Sequence, residues 1–217
     1  MSTLKKVLGV VVILVVICEI LFGIVMAVHN FSHKPINYIE YADLKQAELK
    51  YWESKSHLVD EVSNYIYKVA PTSNLSGVIL VDECEKFGVD VKFVLAQGEL
   101  ESHFGTKGLG AKTNSVWNVG AFDSLSYSEI HKKHIFSNPN ASIKKYLELI
   151  TTNYLYGNKT EVNLLNNFVD KNGRRYASSS SYETSLSHIY DVIRTTTVID
   201  SLQEVLRYWA IQSNREY

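Results

Sequence analysis

The carboxyl group of Glu101 is the side chain of this sequence best placed for acid–base chemistry. A helix is predicted from Val91 to Ser102, and its repeat puts Glu101 on one stripe with Val94 and Gly98. A carboxyl group at the end of an apolar stripe is poorly solvated, which disfavours its ionised form and raises its pKa. A general acid near neutral pH needs such a pKa. We therefore predict that Glu101 is a general acid and that Gly98 leaves room for a ligand against the helix.

Glu99 faces another side of this predicted helix, about 200° round from Glu101. We interpret Glu99 as a supporting or solvated group rather than as the acid. The alternative is that both side chains are ordinary carboxylates on the surface, where most glutamates lie.

Three segments together resemble one family of enzymes. Leu95–Gly105 reads Leu-Ala-Gln-Gly-Glu-Leu-Glu-Ser-His-Phe-Gly, and Asn114–Gly120 reads Asn-Ser-Val-Trp-Asn-Val-Gly. Arg175-Tyr-Ala-Ser178 then precedes a helix that begins at Tyr182, and a Ser-Ile-containing helix, Ala141–Leu149, lies between. In this order the segments resemble bacterial glucosaminidase-type peptidoglycan hydrolases, the autolysin and flagellar-rod wall hydrolases. The resemblance covers about residues 75–195.

The resemblance implies a mainly α, lysozyme-like helical domain with a small irregular or β-hairpin lobe. It also implies hydrolysis of the glycan strand of peptidoglycan at the β-1,4 bond after N-acetylglucosamine, without a cofactor. Glu101 matches the family's catalytic glutamate, Tyr176 the tyrosine near the reacting sugar, and Trp117 and Asn118 the floor of the cleft. The substrate-binding residues expected on this basis are Gln97, Ser102, Phe104, Asn114, Trp117, Asn118 and Gly120.

Two departures from the family pattern concern the sugar contacts. The family usually has Gly where this chain has Asn118, and Gly-Tyr-Ala-Thr-Asp where this chain has Arg-Tyr-Ala-Ser-Ser from Arg175. The hydroxyl of Ser178 can replace that of the family's Thr.

The second group that glycoside cleavage requires is less obvious. Asp123, a catalytic candidate, follows the Trp117 loop directly, and Glu129 lies further along. An inverting base would lie roughly 6.5–9.5 Å from the acid, whereas the N-acetyl group of the substrate can replace it. The alternative for both carboxylates is a solvated surface position.

Tyr176 and Trp117 each have two interpretations. Tyr176 either supports the reacting sugar or is a packed tyrosine whose hydroxyl caps a neighbouring turn. Trp117 either stacks on a sugar face or anchors its loop by hydrophobic packing.

Charge and cysteine content exclude several other kinds of site. The formal net charge of −1 and the lack of a basic stripe argue against nucleic acid as a partner. Cys18 and Cys84 do not have metal-ligand spacing, and Cys84 is interpreted as a small buried hydrophobe. His131 and His134 are three apart, but the lysines between them favour a solvated face over a metal site.

The first 28 residues predict a membrane segment. Val7–Val28 is apolar except for Glu19, and a helix of this length rises about 33 Å, enough to cross a hydrocarbon core of about 30 Å. Lys5 and Lys6 precede it, which favours a cytoplasmic N-terminus and an extracytoplasmic domain. The alternative is a cleaved signal peptide ending near Ala27.

Hydrophobic periodicity and capping residues predict the remaining organisation. The predicted helices are Tyr38–Ala70, Asn74–Lys86, Val91–Ser102, Ala141–Tyr154, Glu161–Val169, Tyr182–Arg194 and Val198–Ile211. Gly88 is the predicted C-terminal stop of the second helix, and Asp90 and Asn140 are the predicted N-caps of the third and fourth. Gly105–Ser128 is predicted as an ordered loop with a hairpin around Trp117–Phe122. The expected divisions are an anchor at 1–28, a juxtamembrane linker and helix at 29–72, and a catalytic domain at 73–217.

Two other functions fit the same sequence. A lytic transglycosylase or muramidase would keep the fold and cut the strand differently. A non-catalytic wall-binding or assembly protein would use the helix at 38–70 as its partner surface. Self-association through the same helix is also expected of the enzyme.

Overall fold

The computed structural model describes residues 38–120 and 135–215. The α-helices of these residues are α1 (Tyr38–Val69), α2 (Gly77–Phe87), α3 (Val91–Ser102), α4 (Gly108–Thr113), α5 (Ala141–Leu149), α6 (Glu161–Asn166), α7 (Tyr182–Thr196) and α8 (Ile199–Gln212). A π-helical turn, Ile150–Tyr154, continues α5. The mainly α class predicted from the sequence is confirmed.

Local capping chemistry explains where α2 and α3 begin and end. Gly88 ends α2 in the left-handed conformation at φ 66°, and Asp90 begins α3 by accepting a hydrogen bond from the backbone of Lys92 at 2.8 Å. Ser76 caps the start of α2 through Ile79. The predicted stop at Gly88 and the predicted cap at Asp90 are both confirmed, and together they fix the start of the helix that carries Glu101.

The core of the domain surrounds α3, whose first eight residues are all buried. The described residues from Leu44 onward belong to one compact unit. Within this unit α3 packs chiefly against α7. Leu58, Val62 and Ile66 of α1 are buried in the same core. From residue 44 onward α1 therefore packs as the first helix of this compact unit.

The loop predicted at Gly105–Ser128 differs in part from the structure. It contains α4, and the described end of the predicted hairpin, residues 117–120, forms turns. Within the described ranges the only bridge of β type joins Val169 and Arg175. Gly110 lets α4 approach α3, because a Cβ there would lie 2.4 Å from the Cβ of Ser102.

The predicted cap at Asn140 is wrong. Asn140 has a helical conformation and makes no side-chain cap on α5. Its Oδ1 instead accepts a hydrogen bond from the backbone of Ser76 at 2.7 Å, and its Nδ2 donates to the carbonyl of Asn74 at 3.2 Å. The side chain therefore joins the start of α5 to the start of α2.

The predicted membrane segment, 7–28, lies outside the described residues. Among the residues that are described, no helix is both long enough and apolar enough to cross a bilayer.

Candidate active site

Glu101 lies in the last turn of α3 and is partly buried. Its Oε1 accepts a hydrogen bond from the hydroxyl of Tyr182 at 2.5 Å, and its Oε2 accepts one from Nδ2 of Asn118 at 2.8 Å. Burial raises the pKa of the Glu101 carboxyl, while the hydrogen bonds from Tyr182 and Asn118 partly offset this rise. Such a group keeps its proton to higher pH than an exposed glutamate does and can release it to a bound acceptor.

The chain turns sharply just after Glu101. His103, Phe104 and Gly105 follow one another in the left-handed conformation, at φ 50°, 53° and 79°. This conformation costs roughly 1–2 kcal/mol for each non-glycine residue. Phe104 is fully buried, and the burial of its ring offsets the cost. The turn brings the following loop back across the end of α3.

The loop Asn114–Gly120 is fixed to α3 and α5 by hydroxyl groups. The hydroxyl of Ser102 donates to the carbonyl of Val116 at 2.6 Å, and the hydroxyl of Ser142 accepts from the backbone of Val116 at 3.3 Å. Asn118 has a left-handed backbone at φ 49°, and its Nδ2 also donates to the backbone carbonyl of Glu101 at 3.2 Å. The loop thus delivers an amide to the carboxylate.

Asn118 leaves one polar atom without a partner. Its Oδ1 is the buried side-chain atom in the described part of the chain for which no hydrogen bond is present. An unsatisfied buried acceptor costs roughly 1–3 kcal/mol, so its position beside Glu101 needs an explanation.

Trp117 supports the site from beneath. Its side chain has no exposed surface; the indole N–H donates to the carbonyl of Val94 at 3.0 Å and the ring stacks on Tyr146 at 4.6 Å. A Cβ on Gly98 would lie 3.1 Å from Nε1 of this indole. The space at Gly98 is therefore filled by Trp117, and the prediction that it admits a ligand is wrong. The position of Trp117 corresponds to the interpretation in which it anchors its loop by hydrophobic packing.

Three other residues expected to bind substrate are buried. Gln97 has no exposed surface, and it accepts a hydrogen bond from Tyr146 at 2.5 Å and donates one to Tyr182 at 3.0 Å. Ser102 holds the loop, and Phe104 packs edge-on against Tyr65. In this structure these side chains lie beneath the site surface. Gln97 and Ser102 make their hydrogen bonds inside the protein.

Tyr176 is packed among other aromatic rings. It stacks on Phe168 at 4.6 Å and on Tyr182 at 5.8 Å, and its hydroxyl donates to the carbonyl of Trp117 at 2.8 Å. This contact corresponds to the alternative in which the hydroxyl caps a neighbouring turn. A direct contact between Tyr176 and the reacting sugar stays a prediction.

The other predicted residues lie at the edge of the described loop or beyond it. Asn114 is partly buried and its Nδ2 donates to the carbonyl of Phe136 at 2.9 Å, and Gly120 is partly buried at φ 77°. Asp123 and Glu129 lie outside the described residues, as do His131 and His134. Elsewhere in the described ranges no group of three potential metal ligands is present.

Glu99 is held away from Glu101. Its Oε2 accepts a hydrogen bond from Tyr65 of α1 at 2.6 Å. The two glutamates thus have similar tyrosine partners on different helices.

Tyr182 is the site residue that the sequence did not predict. Its place at the start of a helix was clear, but its approach to Glu101 depends on how α3 and α7 pack. The one available signal was that Tyr182 is the next tyrosine after the Tyr-Ala-Ser step at Tyr176.

The comparison with known families agrees with this geometry. A family model for glucosaminidase, described as mannosyl-glycoprotein endo-β-N-acetylglucosaminidase, matches residues 78–195, more than half of the chain. The chain belongs to the glucosaminidase family. It is a glycoside hydrolase that acts on peptidoglycan, as the resemblance implied. The matched range includes Glu101, Asn118, Tyr176 and Tyr182 of this glucosaminidase. No curated protein and no solved structure matches the chain.

Proposed function

We propose that this glucosaminidase is an endo-β-N-acetylglucosaminidase that cleaves the β-1,4 bond after N-acetylglucosamine in peptidoglycan, with Glu101 as its general acid. The observation that carries the proposal is the environment of Glu101. Its carboxyl is partly buried, its pKa is raised by burial, and both of its oxygens have hydrogen-bond partners that fix the plane of the group. A fixed acid with a raised pKa is what protonation of a leaving glycosidic oxygen requires.

Tyr182 and Asn118 then orient the acid. The pKa of Tyr182 is raised by burial and by the neighbouring charge of Glu101, so its hydroxyl keeps its proton and acts as a donor. Asn118 cannot ionise and donates through Nδ2. Tyr182 therefore stays a donor while Glu101 gains and loses its own proton.

The second half of the reaction requires a base or a nucleophile. Asp123 and Glu129 are the carboxylates that follow the Trp117 loop, and the N-acetyl group of the substrate is the alternative. The hydrogen bonds to Glu101 in the described residues come from neutral side chains, a tyrosine and an amide. This favours the N-acetyl group or a carboxylate of the segment 121–134.

Mass spectrometry of the fragments released from purified sacculi tests the proposal. We expect reducing N-acetylglucosamine ends. Reducing muramic acid ends would contradict it in favour of a muramidase, and anhydromuramic ends in favour of a lytic transglycosylase. Binding without release of fragments would leave a non-catalytic wall-binding protein.

We also propose that residues 7–28 anchor the enzyme, with a cytoplasmic N-terminus and the catalytic domain on the extracytoplasmic side. The apolar run and the preceding Lys5 and Lys6 support this orientation. Fractionation of cells tests it: the full-length chain is expected in the membrane fraction after a high-salt wash. A soluble chain that has lost its first residues up to about Ala27 would instead indicate a cleaved signal peptide.

A further inference from the structure

We propose that a buried hydrogen-bond chain, Tyr146 to Gln97 to Tyr182, fixes Oε1 of Glu101 as an acceptor, so that Oε2 carries the proton that Glu101 delivers. Tyr146 and Gln97 are positioning residues in this account, because they act on Glu101 through Tyr182. The inference rests on the proposed function, in which Glu101 is the acid.

The direction of the chain follows from what each group can donate. The hydroxyl of Tyr146 donates to Oε1 of Gln97 at 2.5 Å, which leaves Nε2 of the same amide facing Tyr182. Nε2 can only donate, and it donates to the hydroxyl oxygen of Tyr182 at 3.0 Å. The hydroxyl proton of Tyr182 is thereby directed to the remaining acceptor, Oε1 of Glu101, at 2.5 Å.

Burial keeps this direction from changing. Gln97 and Tyr146 have no exposed surface, and Tyr182 is 9% exposed, so water does not compete for these groups. Tyr146 is also held by its stack on Trp117. If the Gln97 amide turned over while the Tyr146 hydroxyl stayed in place, two donors would face each other. The chain therefore has one favoured direction in the folded protein.

Oε2 has the opposite surroundings. Its partner Asn118 has a buried Oδ1 that makes no hydrogen bond in the described structure. A half-turn of the Asn118 amide exchanges Nδ2 for Oδ1, because the two atoms occupy nearly equivalent positions. With Oε2 ionised, Nδ2 donates both to it and to the backbone carbonyl of Glu101. With Oε2 protonated, the turned amide gives up both bonds, and Oδ1 accepts the acidic proton until a substrate oxygen replaces it. The Oδ1 that has no partner in the ionised state is thus the acceptor in the protonated state.

Tyr146→Phe tests the chain, because it removes one hydroxyl and keeps the ring that stacks on Trp117. Without that hydroxyl the Gln97 amide is free to turn, and its Oε1 then competes with Glu101 for the Tyr182 proton. We expect the alkaline limb of the pH–rate profile for lysis of sacculi to move to higher pH. We also expect the rate at the optimum to fall by about two- to tenfold, the size of one hydrogen bond. The purified full-length protein in detergent is the sample, with rates normalised to the folded fraction.

The double variant separates positioning from packing. Because Tyr146 acts through the Tyr182 hydroxyl, Tyr146→Phe should change neither the limb nor the rate further in a Tyr182→Phe background. Additive effects would overturn the proposal. Tyr190→Phe is the control, since it removes another buried hydroxyl, bonded to Asp90 at 3.0 Å, and should leave the limb in place. An unmoved limb for Tyr146→Phe itself would also overturn the proposal.

A measurement on the unchanged protein covers the case in which the Tyr146 variants do not fold. Proton NMR of the Tyr182 hydroxyl, followed through the titration of Glu101, should show one hydrogen-bonded proton near Glu101 on both sides of the transition. Transfer of that proton toward Gln97 on acidification would overturn the proposal. An active Glu101→Gln variant would refute the proposed function instead, so the two failures are distinguishable.

Discussion

The hydroxyl of Tyr182 donates to Oε1 of Glu101 at 2.5 Å across 81 positions of sequence. Tyr182 is the first residue of α7, and Glu101 is in the last turn of α3. These two helices make the most extensive contact of any helix pair in the described structure. The site is therefore set by one helix–helix packing, with the loop at Asn118 closing it from the other side.

Tyr182→Phe should move the alkaline limb of the pH–rate profile to higher pH. The Tyr182 hydroxyl lowers the pKa of Glu101, so its loss raises that pKa, and a protonated acid then persists to higher pH. The optimum rate should fall about tenfold because the carboxyl loses a charge-assisted hydrogen bond that orients it. Tyr65→Phe is the matched control, since it removes the same kind of bond from Glu99. Equal effects of the two substitutions would contradict the assignment.

Glu101→Gln should stabilise the fold at neutral pH. Because burial raises the pKa of Glu101, the folded chain binds more protons than the unfolded chain between the two pKa values. The free energy of unfolding of the wild type therefore falls as pH rises through that window, and the full loss is present above the folded pKa. The variant has no charge to bury, so its gain in free energy of unfolding over the wild type should be absent at about pH 4 and present at about pH 8. Urea unfolding at both values measures it, and a destabilised variant at pH 8 would contradict the buried environment of Glu101.

Asn118→Gly and Asn118→Ala separate the amide from its backbone. The left-handed backbone at φ 49° suits glycine but costs alanine roughly 1–2 kcal/mol. Both variants lose the donor to Oε2, so both should move the alkaline limb upward by a similar amount. Thermal unfolding should show the alanine variant to be the less stable of the two. A limb shift in the alanine variant alone would mean that the backbone, not the amide, matters to the acid.

Trp117→Phe should lower stability without weakening the binding of glycan fragments by the folded protein. The substitution leaves the carbonyl of Val94 without its buried indole donor, at a cost of about 1–3 kcal/mol. Denaturant unfolding gives the stability, and calorimetric titration with soluble wall fragments gives the affinity. Weaker binding at unchanged stability would indicate that the indole stacks directly on a sugar.

Local chemistry made the helices predictable. The cap at Asp90 and the stop at Gly88 depend on neighbours within one turn, so their roles could be inferred from the sequence. The burial of Glu101 was also inferred, because the apolar stripe leading to it is local. The end of α6 was predicted at Val169 but falls at Asn166, since the chain leaves the helix at Asn167.

The contacts made across the chain could not be inferred in the same way. Gly98 showed that a side chain was missing, but not that Trp117 would fill the space. Gln97 was expected to meet substrate on the basis of the family resemblance, whereas in the structure it is fully buried between two tyrosines. The pairing of Tyr182 with Glu101 depends on the packing of α7 on α3, which periodicity does not specify.

The most direct measurement is the lysis of purified sacculi by Glu101→Gln beside Glu99→Gln, both as folded full-length protein. The two substitutions remove one carboxyl each from the same helix, and each position has a tyrosine partner. If Glu101 donates the proton, its variant should lose about 10²–10⁴-fold in rate while the Glu99 variant stays near wild type. Wild-type lysis by Glu101→Gln would contradict the account.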